Sequence, residues 1–226
     1  MSTTPPPAAK ANLERKRLPW RSLSLFAIAV LATVLFVWIA SELREGELDK
    51  IDTRIAIAVH HDQNVVLDVL AIAFTLLGSG PILLSAVAAV CFWAYRRGRR
   101  SYIVIVIANC FIAMVLNPLL KLVFERARPT LFEVISRPDT YSFPSGHSMS
   151  AVTVYGALAA VIIALRPTVK PIAVIVAMIF IVGIGLSRVY LGAHWPMDVI
   201  AGWASGVPFL VTTVYLLHRA KRGEAK

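Results

Sequence analysis

The chain has 226 residues, of which 58% are hydrophobic and only 16% are charged, and its mean hydropathy is +0.71. This composition excludes an ordinary soluble domain, which is less apolar, and predicts an all-α polytopic membrane protein. The net charge of +10 would suit nucleic acid in a soluble protein. Here the basic residues lie at the ends of apolar runs, so membrane topology explains them and no nucleic-acid partner is expected.

The first segments in chain order are a polar leader and one apolar run. Residues 1–21 carry basic and proline residues, and we predict a flexible basic cytoplasmic tail. The run at 23–40 is just long enough to cross a hydrocarbon core of about 30 Å. Its length and extended basic leader favour an uncleaved span over a signal peptide. The acidic, amphipathic stretch at 42–62 predicts an interfacial segment.

The remaining spans follow a long apolar region at 65–95 that is interrupted at Gly78–Pro81. We predict a short helix before this break and a span proper after it. Four plainer spans lie at about 102–120, 147–165, 170–187 and 197–217. The sequence therefore predicts a six-span domain at 22–218, followed by a basic cytoplasmic tail at 219–226.

The distribution of basic residues orients these spans. With the N-terminus inside, fifteen of the 23 Lys and Arg residues fall in cytoplasmic segments. This excess predicts that both termini are cytoplasmic, and it places the loops at 121–146 and 188–196 on the same outer face. The sequence shows no internal repeat, which argues against a transporter, since many transporters are built from repeats.

Three polar clusters interrupt this apolar pattern, and all lie at span ends on the predicted outer face. The first runs from Lys121 to Pro129, the second from Tyr141 to Ser148, and the third from Ser187 to Asp198. Each contains a cation or a histidine at a membrane boundary. Their joint occurrence on one face predicts a single polar site.

The residue types suit a phosphate group. The cations Lys121, Arg128 and Arg188 can offset a phosphate dianion, and arginine supplies paired, planar donors for its oxygens. Ser145 and Gly146 stand at a predicted helix start, where a hydroxyl and free backbone N–H groups favour an anion. We therefore expect these five residues to bind the phosphate.

The third cluster predicts a nucleophile. Asp198 follows His194 by four residues, so the two side chains can share one helical face. The carboxylate can hold one ring nitrogen protonated and leave the other with a free lone pair. His147 is then available as the general acid that protonates the leaving alkoxide.

Simpler interpretations exist for each residue taken alone. Lys121 suits a membrane-boundary anchor, Ser145 a helix N-cap, and Asp198 a first-turn acid that the helix dipole favours. Arg126 and Arg137 are expected to be anchors only. The coincidence of three clusters on one face favours the functional interpretation of the others.

These clusters resemble the three signature motifs of the type 2 phosphatidic acid phosphatase superfamily, which includes membrane lipid phosphate phosphatases and vanadium-dependent haloperoxidases. The matching patterns are Lys121-x6-Arg128-Pro129, Pro144-Ser145-Gly146-His147 and Ser187-Arg188-x5-His194-x3-Asp198. The resemblance implies a helical core like that of acid phosphatases and haloperoxidases. It also implies a phosphohistidine at His194, oriented by Asp198, and the acid role of His147. No metal or other cofactor is implied. The segment from Thr75 to Ser79 resembles a further family feature weakly.

The membrane setting favours a lipid phosphate as substrate. Candidates are undecaprenyl diphosphate, which we favour slightly, phosphatidic acid, phosphatidylglycerol phosphate and lipid A phosphates. The main alternative is a phosphotransferase that uses the same phosphohistidine. A haloperoxidase is disfavoured by the spans, and a non-enzymatic transporter or binding protein would not need both histidines together with Asp198. The sequence does not indicate the oligomeric state.

Overall fold

The computed structural model describes residues 20–61, 64–131 and 140–223, and these residues form eight α-helices without a β-strand. A 3₁₀ turn at Pro167–Val169 connects the sixth and seventh helices. The all-helical prediction is confirmed. The helices are α1 (Trp20–Glu45), α2 (Asp49–His61), α3 (Val65–Leu77), α4 (Gly80–Arg96), α5 (Arg100–Phe124), α6 (Gly146–Leu165), α7 (Lys170–Tyr190) and α8 (Pro196–Gly223).

The predicted terminal tails fall mostly outside the described residues. Of the tail at 1–21, only residues 20 and 21 are described, and they begin α1. Arg137 also lies outside the described residues. At the other end α8 continues past residue 218 to Gly223, so the first residues of the predicted C-terminal tail are helical.

The predicted spans are recovered as five long apolar helices and one bent pair. The single helices that are long and apolar enough to cross a membrane are α1, α5, α6, α7 and α8. The sixth candidate is the pair α3 and α4, which bend by 55° at their junction. Pro81 stands in the first turn of α4, where its missing N–H costs nothing but prevents a continuous helix from passing through. The chain is therefore a multi-pass membrane protein.

Helix α2 occupies most of the segment that was predicted to be interfacial. Helix α1 extends to Glu45, further than the predicted end at residue 40, and Gly46 then turns the chain with a φ of 77°. This left-handed conformation favours glycine because it has no Cβ. Most of α2 is exposed, but Asp52 is fully buried.

Helix α6 is the centre of the bundle and packs closely on α8. Small residues allow this approach, as they do between other membrane helices. A Cβ at Gly202 would lie 2.6 Å from the carbonyl oxygen of Ser145, and a Cβ at Gly206 would lie 2.9 Å from that of Met149. The two glycines are four residues apart and so lie on one face of α8. They set the distance between the helix starts that carry the second and third polar clusters.

We predict that Gly202→Ala destabilises the protein by about 1–3 kcal/mol, because the new methyl group overpacks a contact with backbone that cannot rotate away. Thermal unfolding of purified protein in detergent measures the effect. Gly80→Ala is the matched control, since a Cβ at Gly80 would meet nothing within 4 Å. Equal unfolding temperatures for Gly202→Ala and the wild type would contradict this account of the packing.

Candidate active site

The three polar clusters meet at one end of the helix bundle. The first begins in the last turn of α5 and continues past its end, the second enters α6, and the third links α7 to α8. The antiparallel order of these helices brings all three to the same end. The junction of α3 and α4 reaches the same region, because a Cβ at Gly78 would lie 2.8 Å from the ring of His147.

His194 and Asp198 are in contact, as predicted, and both are buried, although His194 lies in the turn before α8 and not on a shared helical face. His194 is 3% exposed, Asp198 is 0% exposed, and 3.4 Å separates Nδ1 of the histidine from Oδ2 of the carboxylate. The N–H of Trp195 donates to the same oxygen at 3.0 Å. The hydroxyl of Ser142 also donates to it and lies 3.4 Å from Nδ1 of His194. The carboxylate thus fixes the ring both directly and through Ser142.

The other ring nitrogen of His194 faces a cation. Nη1 of Arg128 lies 3.2 Å from Nε2 and also donates to the carbonyl oxygen of Ala193 at 2.6 Å. A guanidinium has donors only, so this contact assigns the lone pair to Nε2 and the proton to Nδ1. The proton then lies on the side of Asp198, and the lone pair faces the site.

Electrostatics keep His194 neutral. Burial lowers its pKa to about 4, although Asp198 opposes the shift. The imidazole therefore loses its charge as the pH rises through about 4 and has a free lone pair at neutral pH. Burial also lowers the pKa of Arg128 from its ordinary value near 12.5, and the residue remains a cation at neutral pH.

The two other predicted cations lie beside Arg128. Nζ of Lys121 donates to the carbonyl oxygen of Tyr141 at 2.7 Å. Nη1 of Arg188 donates to Oγ1 of Thr75 at 2.5 Å, and its buried Nε has no partner. Among residues 20–61, 64–131 and 140–223, none of the three cations forms an ion pair with a carboxylate. Such uncompensated positive charge suits an anionic ligand.

The start of α6 supplies backbone donors and a cap. Ser145 is fully buried, and its Oγ accepts from the N–H of Ser148 at 3.4 Å and from its hydroxyl at 3.1 Å. The structure therefore gives Ser145 the N-cap role, which was the simpler alternative at the sequence level. The N–H groups of Gly146 and His147 have no acceptor within the helix. A Cβ at Gly146 would lie 2.8 Å from Oδ1 of Asn117, so a larger residue here would require the amide of Asn117 to shift.

His147 is partly exposed and lies among the charged groups of the site. Its electrostatic neighbours are Arg188, His194, Lys121 and Arg128. The two histidines thus have different surroundings. His194 has a carboxylate on one side, whereas His147 is surrounded by cations, and a bound dianion would favour a proton on it.

Arg126 was expected to be a membrane anchor, and the structure contradicts this expectation. Its side chain is only 13% exposed and contacts three carboxylates, with distances of 2.8 Å to Asp198, 2.7 Å to Asp52 and 3.2 Å to Asp49. Burial lowers the pKa of Arg126, but Asp198 and Asp52 outweigh that effect and raise it.

Ser142 and Asp52 were also missed at the sequence level. Ser142 stands next to the Pro144–His147 motif, so its position gave a weak local signal. Asp52 gave none, because its partner Arg126 lies 74 residues away along the chain. The weak feature near the second span did point to a contact, since Thr75 accepts the hydrogen bond of Arg188.

Comparisons with known proteins identify the family and the fold of the chain. Residues 102–222, more than half of the chain, match the family model described as the PAP2 superfamily. The crystal structure of a transmembrane PAP2-type phosphatidylglycerolphosphate phosphatase from Bacillus subtilis superposes with a TM-score of 0.73 and 27% sequence identity. That superposition covers 86% of this chain and 96% of the other.

Two curated relatives match shorter regions. Phosphatidylglycerophosphatase B of Bacillus subtilis (strain 168) is 40% identical over 95 residues, which are 41% of this chain and 46% of the relative. An undecaprenyl-diphosphatase of Sulfolobus acidocaldarius is 38% identical over 117 residues, 50% of this chain and 53% of the relative. The chain thus spans about half the length of the curated relatives it matches.

We predict that the cation cluster binds inorganic phosphate and that Arg128→Gln raises its Kd about tenfold or more, since a hydrogen bond to a charged group contributes about 1.5–3 kcal/mol. The measurement is the phosphate-dependent rise in unfolding temperature of detergent-solubilised protein, against chloride at equal ionic strength. Arg54→Gln, at an exposed position on α2, removes the same charge outside the cluster and should leave the Kd unchanged. Equal effects of the two substitutions would contradict a specific site.

Proposed function

We propose that this chain, which belongs to the PAP2 superfamily, is a membrane-embedded phosphatase that removes a phosphate or diphosphate group from a lipid through a phosphohistidine at His194. The observation that carries the proposal is the orientation of one buried imidazole. Its Nδ1 faces the carboxylate of Asp198 at 3.4 Å, while its Nε2 faces the guanidinium of Arg128 at 3.2 Å.

In the first step, Nε2 of His194 attacks phosphorus and the bond from phosphorus to the leaving oxygen breaks. The ring then carries a proton on Nδ1 and the phosphoryl group on Nε2, so a positive charge develops on it. The buried carboxylate of Asp198 stabilises this charge in a site of low dielectric. Covalent catalysis of this kind divides one difficult displacement into two easier ones.

His147 is proposed to act as the general acid of the first step and as the general base of the second. It donates a proton to the leaving oxygen, which would otherwise depart as an alkoxide or phosphate anion. The neutral imidazole that results then accepts a proton from water as the water attacks the phosphohistidine. His194 leaves with its lone pair restored, and inorganic phosphate is released.

The phosphoryl oxygens are proposed to bind the cations and the start of α6. Lys121, Arg128 and Arg188 supply the charge, and the N–H groups of Gly146 and His147 supply backbone donors at a helix N-terminus. Ser145 then contributes by capping that helix and fixing the direction of its donors. In the part of the chain that the structure describes, no three His, Cys, Asp or Glu side chains form a possible metal site, and the proposed chemistry uses no metal.

The proposed substrate is a lipid because the site lies at one end of a membrane-spanning bundle. The names of the two relatives refer to a lipid monophosphate and to an isoprenoid diphosphate as their substrates. Phosphatidylglycerol phosphate and undecaprenyl diphosphate are therefore the first substrates to compare, with phosphatidic acid as a simpler lipid monophosphate. A phosphotransferase would form the same phosphohistidine and would pass its phosphoryl group to an acceptor other than water.

The proposed orientation has both termini in the cytoplasm and the site on the outer face. The basic segments Arg96–Arg100 and Arg166–Lys170 connect helices at the end of the bundle opposite to the site. With fifteen of the 23 basic residues then on the cytoplasmic side, the positive-inside rule supports this orientation. A lipid headgroup at the outer surface would reach the site while its chains stay in the bilayer.

We predict that purified protein in detergent and EDTA releases phosphate from at least one of these lipids, and that His194→Ala lowers kcat by more than about 10³-fold. His61→Ala, an exposed histidine of α2, should retain activity. Labelled substrate with water or an alcohol as acceptor separates hydrolysis from transfer. Phosphate release by His194→Ala at a rate near the wild type would contradict the proposed nucleophile.

A further inference from the structure

We infer that Arg126 and Asp52 are positioning residues for the nucleophile. This inference rests on the proposed function of His194. Arg126 holds the carboxylate oxygen of Asp198 that His194 does not use. Asp52, on the surface helix α2, holds Arg126 in turn. These contacts form a buried relay of alternating charges, Asp52–Arg126–Asp198, that ends at the imidazole.

The two oxygens of Asp198 have separate partners. Oδ2 accepts from Ser142 and from the N–H of Trp195, and it faces His194. Oδ1 accepts from Nη1 of Arg126 at 2.8 Å. A carboxylate held at both oxygens cannot rotate, so the direction that it offers to His194 is fixed. The guanidinium of Arg126 also lies over the ring of Trp195, 5.4 Å from its centroid.

Asp52 is bound as specifically as Asp198. It is 0% exposed, its Oδ2 accepts from Nη2 of Arg126 at 2.7 Å, and its Oδ1 accepts from the N–H of Met197 at 2.9 Å. Met197 lies in the first turn of α8, next to Asp198. One carboxylate of α2 therefore holds both the arginine and the helix start that carries Asp198.

The relay also sets the charge that His194 experiences. A positive charge develops on the ring when Nε2 binds phosphorus, and Asp198 must balance it. Arg126 alone would neutralise much of the charge on Asp198. Because Asp52 also pairs with Arg126, the relay as a whole keeps a net negative charge. Asp52 therefore positions the nucleophile and restores the electrostatic effect of Asp198.

The test replaces Asp52 by Asn, which keeps the shape and an oxygen for the N–H of Met197 but removes the charge. We expect kcat to fall on the order of tenfold to a hundredfold, as for small displacements of a catalytic group, while KM stays near the wild-type value. Asp49→Asn is the matched control. Asp49 lies on the same helix and near the same arginine, but its side chain is 65% exposed, so an exposed pair of this kind should contribute little.

The pH dependence of kcat/KM distinguishes this role from a general loss of structure. Asp52→Asn removes an anion and should lower the pKa of His194, which moves the acid-side loss of activity to lower pH. Arg126→Gln removes a cation and should move that loss to higher pH. The other groups that face His194, namely Asp198, Ser142, Arg128, Arg188 and His147, are the same in both variants.

The relay is supported if the acid-side loss of activity moves in opposite directions in the two variants and Asp52→Asn has a reduced kcat. Wild-type kcat for Asp52→Asn, or displacements in the same direction for both variants, would overturn it. The phosphate-dependent rise in unfolding temperature is measured for each variant to establish that it is folded. If only one variant folds, the direction in which its acid-side loss of activity moves still tests the relay. His194→Ala is assayed in parallel. An inactive His194→Ala with a wild-type Asp52→Asn refutes the relay alone, whereas an active His194→Ala refutes the proposed function.

Discussion

The burial of one carboxylate constrains the rest of this site. A buried charge is tolerated in a protein only when it is paired and hydrogen-bonded, and Asp198 is 0% exposed. Its partners come from separate parts of the chain, namely the loop after α5, the entry to α6 and the turn before α8. Satisfying this carboxylate therefore requires the three polar clusters to be assembled together. The same contacts leave the imidazole of His194 with its lone pair directed towards the cations.

The basic residues near this carboxylate differ in whether they are paired with a negative charge. Lys121, Arg128 and Arg188 are held by carbonyl and hydroxyl oxygens, whereas Arg126 is neutralised by carboxylates. These four basic residues thus divide into two groups with different tasks. Those without a counter-charge are suited to a phosphate dianion, and the paired one stabilises the site itself. The close contact of α6 and α8 at Gly202 fixes the distance between the helix starts that carry the second and third polar clusters.

Local patterns in the sequence predicted most of the fold and part of the site. Hydropathy located the spans because a membrane helix must be long and apolar, and Gly78–Pro81 marked the bend because proline cannot continue a helix. The spacing of His194 and Asp198 predicted their contact, but the two residues do not share a helical face, because His194 lies in the turn before α8 and only Asp198 lies in its first helical turn. Arg126 was misjudged because its role depends on Asp52, a contact that only the folded chain creates. Ser145 was ambiguous because one hydroxyl suits both a cap and an anion.

The covalent step is the central claim and can be observed directly. Radiolabelled substrate with a leaving group that needs no acid is mixed with the His147→Ala variant, which lacks the group proposed to activate water. The reaction is stopped in alkali, where phosphohistidine persists, and the labelled peptide is identified by mass spectrometry. We predict a phosphoryl group on His194 that forms faster than phosphate is released. Label on another residue, or phosphate release without any labelled protein, would contradict it.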